Sequence, residues 1–131
     1  MIKSIFNKLF TKDDDEITLS IPSIERGQLT LKVDNLIIGY LSCKDGQWIF
    51  KYSEEFKTQD EYHNLIGFPH LDGEYVSDQL WPFFKIRIPG LKQPAIKEIV
   101  EHEHIDSKNE FELLKRFGRK TISNPYELSV D

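Results

Sequence analysis

The chain has 131 residues, 39% of them apolar and 30% charged, with a formal net charge of −5. That length suits one domain with a single core, and the acidic balance argues against nucleic-acid binding by the surface as a whole. The lone cysteine, Cys43, excludes an intrachain disulfide, and no apolar run approaches the roughly 20 residues that span a bilayer. With an N-terminus too short and polar for a signal peptide, a cytoplasmic location is expected, with neither membrane nor direct nucleic-acid contact.

Ile2, Ile5, Phe6, Leu9 and Phe10 recur at helical spacing with Lys3, Lys8 and Lys12 between them, and Asp13 to Glu16 form an acidic run. Residues 1–27 therefore read as an amphipathic arm and acidic linker, either a spacer or a segment that docks on a partner groove or a surface. Residues 28–131 read as one domain. Gln28 to Asp34 alternates polar and apolar, as a half-buried strand does. Asp34-Asn35 makes a turn, Leu36 to Ser42 a second strand, and Asp45-Gly46 a tight hairpin turn that needs positive φ. Gln47 to Tyr52 completes a meander with Trp48, Phe50 and Tyr52 on one face. Residues 53–72 are less regular. Leu65 to Pro69 is an extended segment or short strand, since a residue before proline avoids the helical region. Tyr75 and Val76 fit a short edge strand.

Three helices are expected after that. The first is capped by Ser77 or Asp78, carries Leu80, Trp81, Phe83, Phe84 and Ile86, and stops at Pro89-Gly90. The second opens at Pro94, a favoured first helical position. The third is capped by Asp106 or Ser107, buries Phe111, Leu113, Leu114 and Phe117, and stops at Gly118. The tail breaks at Asn124-Pro125, with Tyr126 and Leu128 as anchors. The expected fold is α+β: a small antiparallel β-meander or partial barrel followed by about three packed helices.

Chemistry-bearing constellations are sparse. His102 and His104 stand two apart on a helix, on opposite sides, so they do not make a metal pair. The seven glycines include no phosphate-cradling motif. Lys115, Arg116, Arg119 and Lys120 sit where cations complement a helix C-terminus. Cys43 reads as a half-buried strand thiol. No catalytic residue, metal or cofactor is expected. The concentration of bulk at Trp81, Pro82, Phe83 and Phe84 is different: one core cannot take all four from one helix, and tryptophan is a frequent interface anchor.

Several of these segments, in this order, resemble the N-terminal subdomain of the HipA toxin kinases. Gly39-Tyr40-Leu41 fits its Gly-x-Leu element, Phe50-Lys51-Tyr52 its Phe-x-Tyr strand, and Pro82-Phe83-Phe84 with Ile88-Pro89-Gly90 its Phe-Phe helix and stop. Asn109 to Gly118 fills the place of its Asp-x-Phe-x-Leu-Leu-x-x-x-Gly helix. The resemblance covers about residues 28–120. It departs at Pro89-Gly90-Leu91, where the family has Pro-Glu-Gly, and at residues 121–125, where the family has a Gly-Ala-rich segment leading to the kinase core. In layout the chain is similar to the stand-alone, HipS-like small subunits of split Hip toxin–antitoxin systems. The resemblance implies a non-enzymatic module that binds and restrains a separate HipA-like serine/threonine kinase, with Trp81, Phe83, Phe84, Arg87 and Pro89 as the candidate contact residues. The arm motivates an alternative, an adaptor for another complex or a membrane surface.

Overall fold

The computed structural model describes Ile21 and residues 25–130; the amphipathic pattern expected over the first residues, and most of the proposed 1–27 arm, lie outside them. Among the described residues five strands form one open antiparallel sheet: β1 (Gly27–Val33), β2 (Leu36–Lys44), β3 (Gln47–Tyr52), β4 (Tyr75–Ser77) and β5 (Glu127–Val130), in the order β4-β3-β2-β1-β5. Among the described residues four helices accompany it: α1 (Glu54–Lys57), α2 (Pro82–Lys85), α3 (Pro94–His102) and α4 (Glu110–Phe117). The α+β class and the meander follow the expectation, and the sheet does not close into a barrel.

The period-two pattern puts Leu29 and Leu31 of β1, Leu41 and Cys43 of β2, and Trp48, Phe50 and Tyr52 of β3 on one face, all buried. Asp45 (φ 54°) and Gly46 (φ 78°) supply the two positive φ values that the tight β2–β3 turn needs. A bulge opens where Leu31 pairs with Gly39 but Lys32 with Ile37, leaving Ile38 as the extra residue. Ile38 is fully buried, and its carbonyl accepts the Ser53 N–H at 2.9 Å. Beside it, a Cβ on Gly39 would stand 2.5 Å from the Lys51 carbonyl oxygen and 2.7 Å from the Phe50 ring, so only glycine fits.

Phe56, Leu65, Phe68, Leu80, Phe84, Phe111 and Leu114 cover this face. Aromatic contacts knit the layers: Phe50 meets Phe68 at 4.7 Å and Phe84 at 5.6 Å between ring centroids, and Tyr52 stacks on Phe56 at 5.0 Å.

Several boundaries differ from expectation. The helix expected to start at Ser77 or Asp78 is a single turn whose N-cap is Trp81. Trp81 precedes Pro82 and is therefore extended (ψ 148°), while Pro82 takes the first helical position. Ser77 caps a local turn instead, accepting the Gln79 N–H at 3.0 Å. The last helix is capped by Asn109 rather than Asp106 or Ser107: its Oδ1 accepts the N–H groups of Phe111 and Glu112 at 3.1 and 3.2 Å. Asp106 closes the preceding turn through Lys108 N–H. Residues 65–68 form a turn, not a strand, and Ser53 caps an unexpected short helix through the Phe56 N–H. The tail supplies the fifth strand, with Leu128 opposite Leu31.

Candidate functional site

The main concavity among the described residues is an open, predominantly apolar groove of about 640 Å³. Leu65 and Phe68 are buried at its base, the loop from Glu61 to Phe68 forms one wall, and Trp81, Pro82, Phe83 and Ile86 form the other. Ser123, Asn124 and Tyr126 close one end. Ile66 is 89% exposed and Ile86 52%. An isolated exposed isoleucine means little, but two facing one apolar groove beside a tryptophan make a surface suited to contact.

Each wall is held from beneath by a buried polar group. The Tyr52 hydroxyl donates to the Phe68 carbonyl at 2.5 Å and accepts the Leu65 N–H at 2.9 Å, so the sheet grips the loop at both ends of its turn. Burial pushes this phenol up to about 12, and it stays a neutral donor. Gln59 adds a clasp, its side chain bonding both the N–H and the carbonyl of Tyr62 at 2.8 and 3.0 Å.

The opposite support is Arg87, only 4% exposed. Its guanidinium donates to the carbonyls of Gly118 (3.1 Å), Arg119 (3.4 Å) and Tyr126 (2.9 Å) and to the Asn124 side-chain oxygen (3.1 Å). It also lies 5.8 Å from the centre of the Phe83 ring. Burial lowers its pKa to about 10, which leaves it charged at neutral pH. A planar fork that reaches four acceptors at once is what a lysine lacks.

Of the expected contact residues, the structure brings Trp81 and Phe83 together on the groove. Trp81 meets Phe68 edge-on at 5.2 Å, and Phe83 meets Tyr126 at 6.0 Å, so both are anchored on one side and open on the other. Phe84 and Arg87 are buried and shape the groove from behind rather than facing outward. Pro89 lies past α2 and is not part of the lining. Sequence reasoning placed Ile86 on the contact helix but missed Ile66, Tyr62 and Tyr126. The exposed Ile66 carried no signal, and Tyr126 was read only as a tail anchor.

The remaining candidates behave as structural groups. Arg116 makes a bidentate pair with Glu103 at 2.7 and 3.0 Å, Lys115 pairs with Glu112 at 3.1 Å, and Arg119 and Lys120 lie 4.0 and 3.7 Å from Glu127. The basic cluster is thus consumed by local partners. His102 and His104 are exposed, and among the described residues no group of three or more metal-capable side chains forms. Cys43 is buried, and burial together with Glu25 pushes its thiol up to about 11, which keeps it unreactive. No helix among the described residues is long and apolar enough to cross a membrane.

Away from the groove, the buried Glu110 accepts the Trp48 indole N–H at 3.1 Å, while its second oxygen has no hydrogen bond and lies 3.9 Å from the Lys85 ammonium. Burial raises its pKa, opposed by Trp48 and Lys85. A carboxyl whose folded pKa exceeds its unfolded value burdens the fold when ionised. That burden is fully present above the folded pKa and fades as pH falls through it. In denaturant melts, the stability of Glu110→Gln minus that of the unaltered chain should therefore be larger at pH 7.5 than at pH 5. A pH-independent offset would show that the carboxyl is not held in this way.

The family model for the HipA N-terminal domain matches residues 29–123, and the chain belongs to that family. The match contains both long walls of the groove. No curated protein matches the chain. The family is one of a non-catalytic subdomain, in keeping with a site built of apolar walls rather than reactive groups.

Proposed function

We propose that the chain is a non-catalytic interaction module that docks on a separate HipA-like serine/threonine kinase and restrains it, in the manner of an antitoxin. The observation that carries this reading is the groove: a half-exposed Trp81 and Phe83, flanked by Ile66 and Ile86 and braced by two buried polar supports. Tryptophans at the centre of a rigid apolar patch commonly dominate binding energy. Membership of the HipA N-terminal family supports a kinase of that type as the partner.

The test is co-purification from the native host with a tagged chain at moderate salt, followed by titration of the recovered kinase. The expected result is a HipA-like kinase in near-stoichiometric amount. Trp81→Ala should weaken that binding by about 2 kcal/mol, roughly 30-fold, with the fold retained. Binding by Trp81→Ala equal to that of the unaltered chain would remove the groove from the interface.

A further inference from the structure

The apolar groove borders a recess of a different kind. Glu61 and Tyr62, which line the groove, also line a smaller recess of about 360 Å³ together with Asp34, Leu36, Glu55 and Gln59. Tyr62 is the ridge between the two, and its hydroxyl donates to the Asp34 carboxylate at 3.3 Å. Three carboxylates meet in the recess: Asp34 from the β1–β2 turn, Glu55 from α1 and Glu61 from the start of the loop wall. All three residues are exposed. No lysine or arginine lines either concavity, and none of the three carboxylates has an ion-pair partner among the described residues. Lys57, the nearest cation in sequence to Glu55 and Glu61, is turned to Glu54 and Asp72 at 3.0 and 3.6 Å.

Together the two concavities define the chemistry of one occupant. The groove accepts apolar side chains, and the recess across Tyr62 offers negative charge that the fold leaves uncompensated. A matching protein segment carries an apolar anchor with a lysine or arginine close beside it, whereas an acidic segment is repelled. We infer that the docking surface proposed above reads a basic–apolar segment of its partner, with apolar side chains against Trp81 and Phe83 and a neighbouring cation among Asp34, Glu55 and Glu61. The groove supplies most of the affinity, because exposed ion pairs are individually weak. The carboxylates supply selectivity and a faster encounter. The inference rests on the groove being a binding surface, and its test separates the two.

The probe is a phage-displayed library of random dodecapeptides, selected on the full-length chain and counter-selected on its Trp81→Ala variant. The expected result is a set of enriched peptides that place lysine or arginine next to a tryptophan, phenylalanine or leucine. A synthetic copy of an enriched peptide should bind the double variant Glu55→Gln, Glu61→Gln about three- to tenfold more weakly than the unaltered chain at ~50 mM salt, and the difference should shrink as salt rises. The double variant Glu98→Gln, Glu101→Gln removes the same charge from α3 and should change the affinity by less than about twofold. All four glutamates are exposed, so the comparison does not rest on a weakened fold. Enriched peptides with no excess of lysine and arginine over the unselected library, or equal affinities of the two double variants, would overturn the inference and leave the groove standing as a docking surface. If no enrichment depends on Trp81, the groove itself is not a peptide-binding surface, and the inference falls with it.

Discussion

Arg87→Met should cost the fold about 3–5 kcal/mol, because it removes four charge-assisted hydrogen bonds at once and leaves the Gly118 and Tyr126 carbonyls without the guanidinium that now serves them. Three of the four acceptors are backbone carbonyls in residues 118–126, and the fourth is Asn124, the side chain that also turns the tail by accepting the Tyr126 N–H at 3.1 Å. Beyond that turn the tail enters the sheet as β5, and the Leu128 N–H donates to the Arg119 carbonyl at 2.9 Å. Without the guanidinium the segment loses its hydrogen bonds to the end of α2, and β5 keeps its pairing to β1, the Leu128–Arg119 bond and the Phe83–Tyr126 ring contact. Methionine retains the apolar stem but none of the donors. Lysine retains the charge but offers one compact donor group, so Arg87→Lys should recover less than half of the loss. Against a typical total stability of about 5–15 kcal/mol, the methionine variant should show a much lower urea midpoint. Amide exchange at Leu128 should rise ahead of exchange in β2 and β3. A midpoint unchanged for Arg87→Met would mean that the tail is held by other contacts.

Phe84→Ala should be comparably severe, about 3–5 kcal/mol, for an apolar reason. The ring is fully buried, 5.6 Å from Phe50, 6.0 Å from Phe68 and 5.1 Å from Phe83 between centroids. Removing it opens a cavity where α2 meets the sheet and withdraws the support behind Phe83. Trp81→Ala, at the half-exposed neighbouring position, should cost the fold far less while costing binding more. The contrast separates core from interface among residues three apart in sequence. Equal thermal stability of the two alanine variants would contradict the placement of Phe84.

That contrast also shows where sequence reading stopped. The strands of the meander were legible because alternation over Leu29, Leu31 and Val33, and over Trp48, Phe50 and Tyr52, reports one buried face directly. Pro94 and Gly118 marked a helix start and a helix end through purely local constraints. The aromatic run at 81–84 was legible as an excess, but its partition was not. Trp81 before Pro82 breaks the helical register, so Phe84 faces the sheet while Phe83 and Trp81 face the groove. Asp106, Ser107 and Asn109 are all competent caps, and only the tertiary position of Phe111 selects Asn109. Arg87 was read as a contact residue, and the structure places it just past α2, buried and turned to the tail. Its acceptors lie 31 to 39 residues further along the chain, a relation that local pattern does not carry. The β5 strand was hidden for the same reason: four residues after a proline carry little signal until β1 is beside them.

Tyr52 and Arg87 give the groove its function-relevant property, which is rigidity. Tyr52 ties the sheet to the backbone of the loop wall, and Arg87 ties the end of α2 to the tail that closes the groove, so the apolar rim is presented without the ordering cost that a loose loop would add on binding. The family relationship accounts for the scaffold, and the exposed Ile66 and Ile86 are what the scaffold displays.

The most direct measurement is the affinity of the purified chain for the proposed partner, a HipA-like kinase, by calorimetric titration, comparing Ile86→Asp with Val76→Asp. Both replace half-exposed aliphatic residues, one on the groove and one on the opposite face of the sheet. The groove account predicts that Ile86→Asp weakens binding at least about tenfold, more than 1.4 kcal/mol, while Val76→Asp leaves it unchanged. Undiminished binding by Ile86→Asp, with loss in Val76→Asp, would place the partner on the open sheet face and contradict the account.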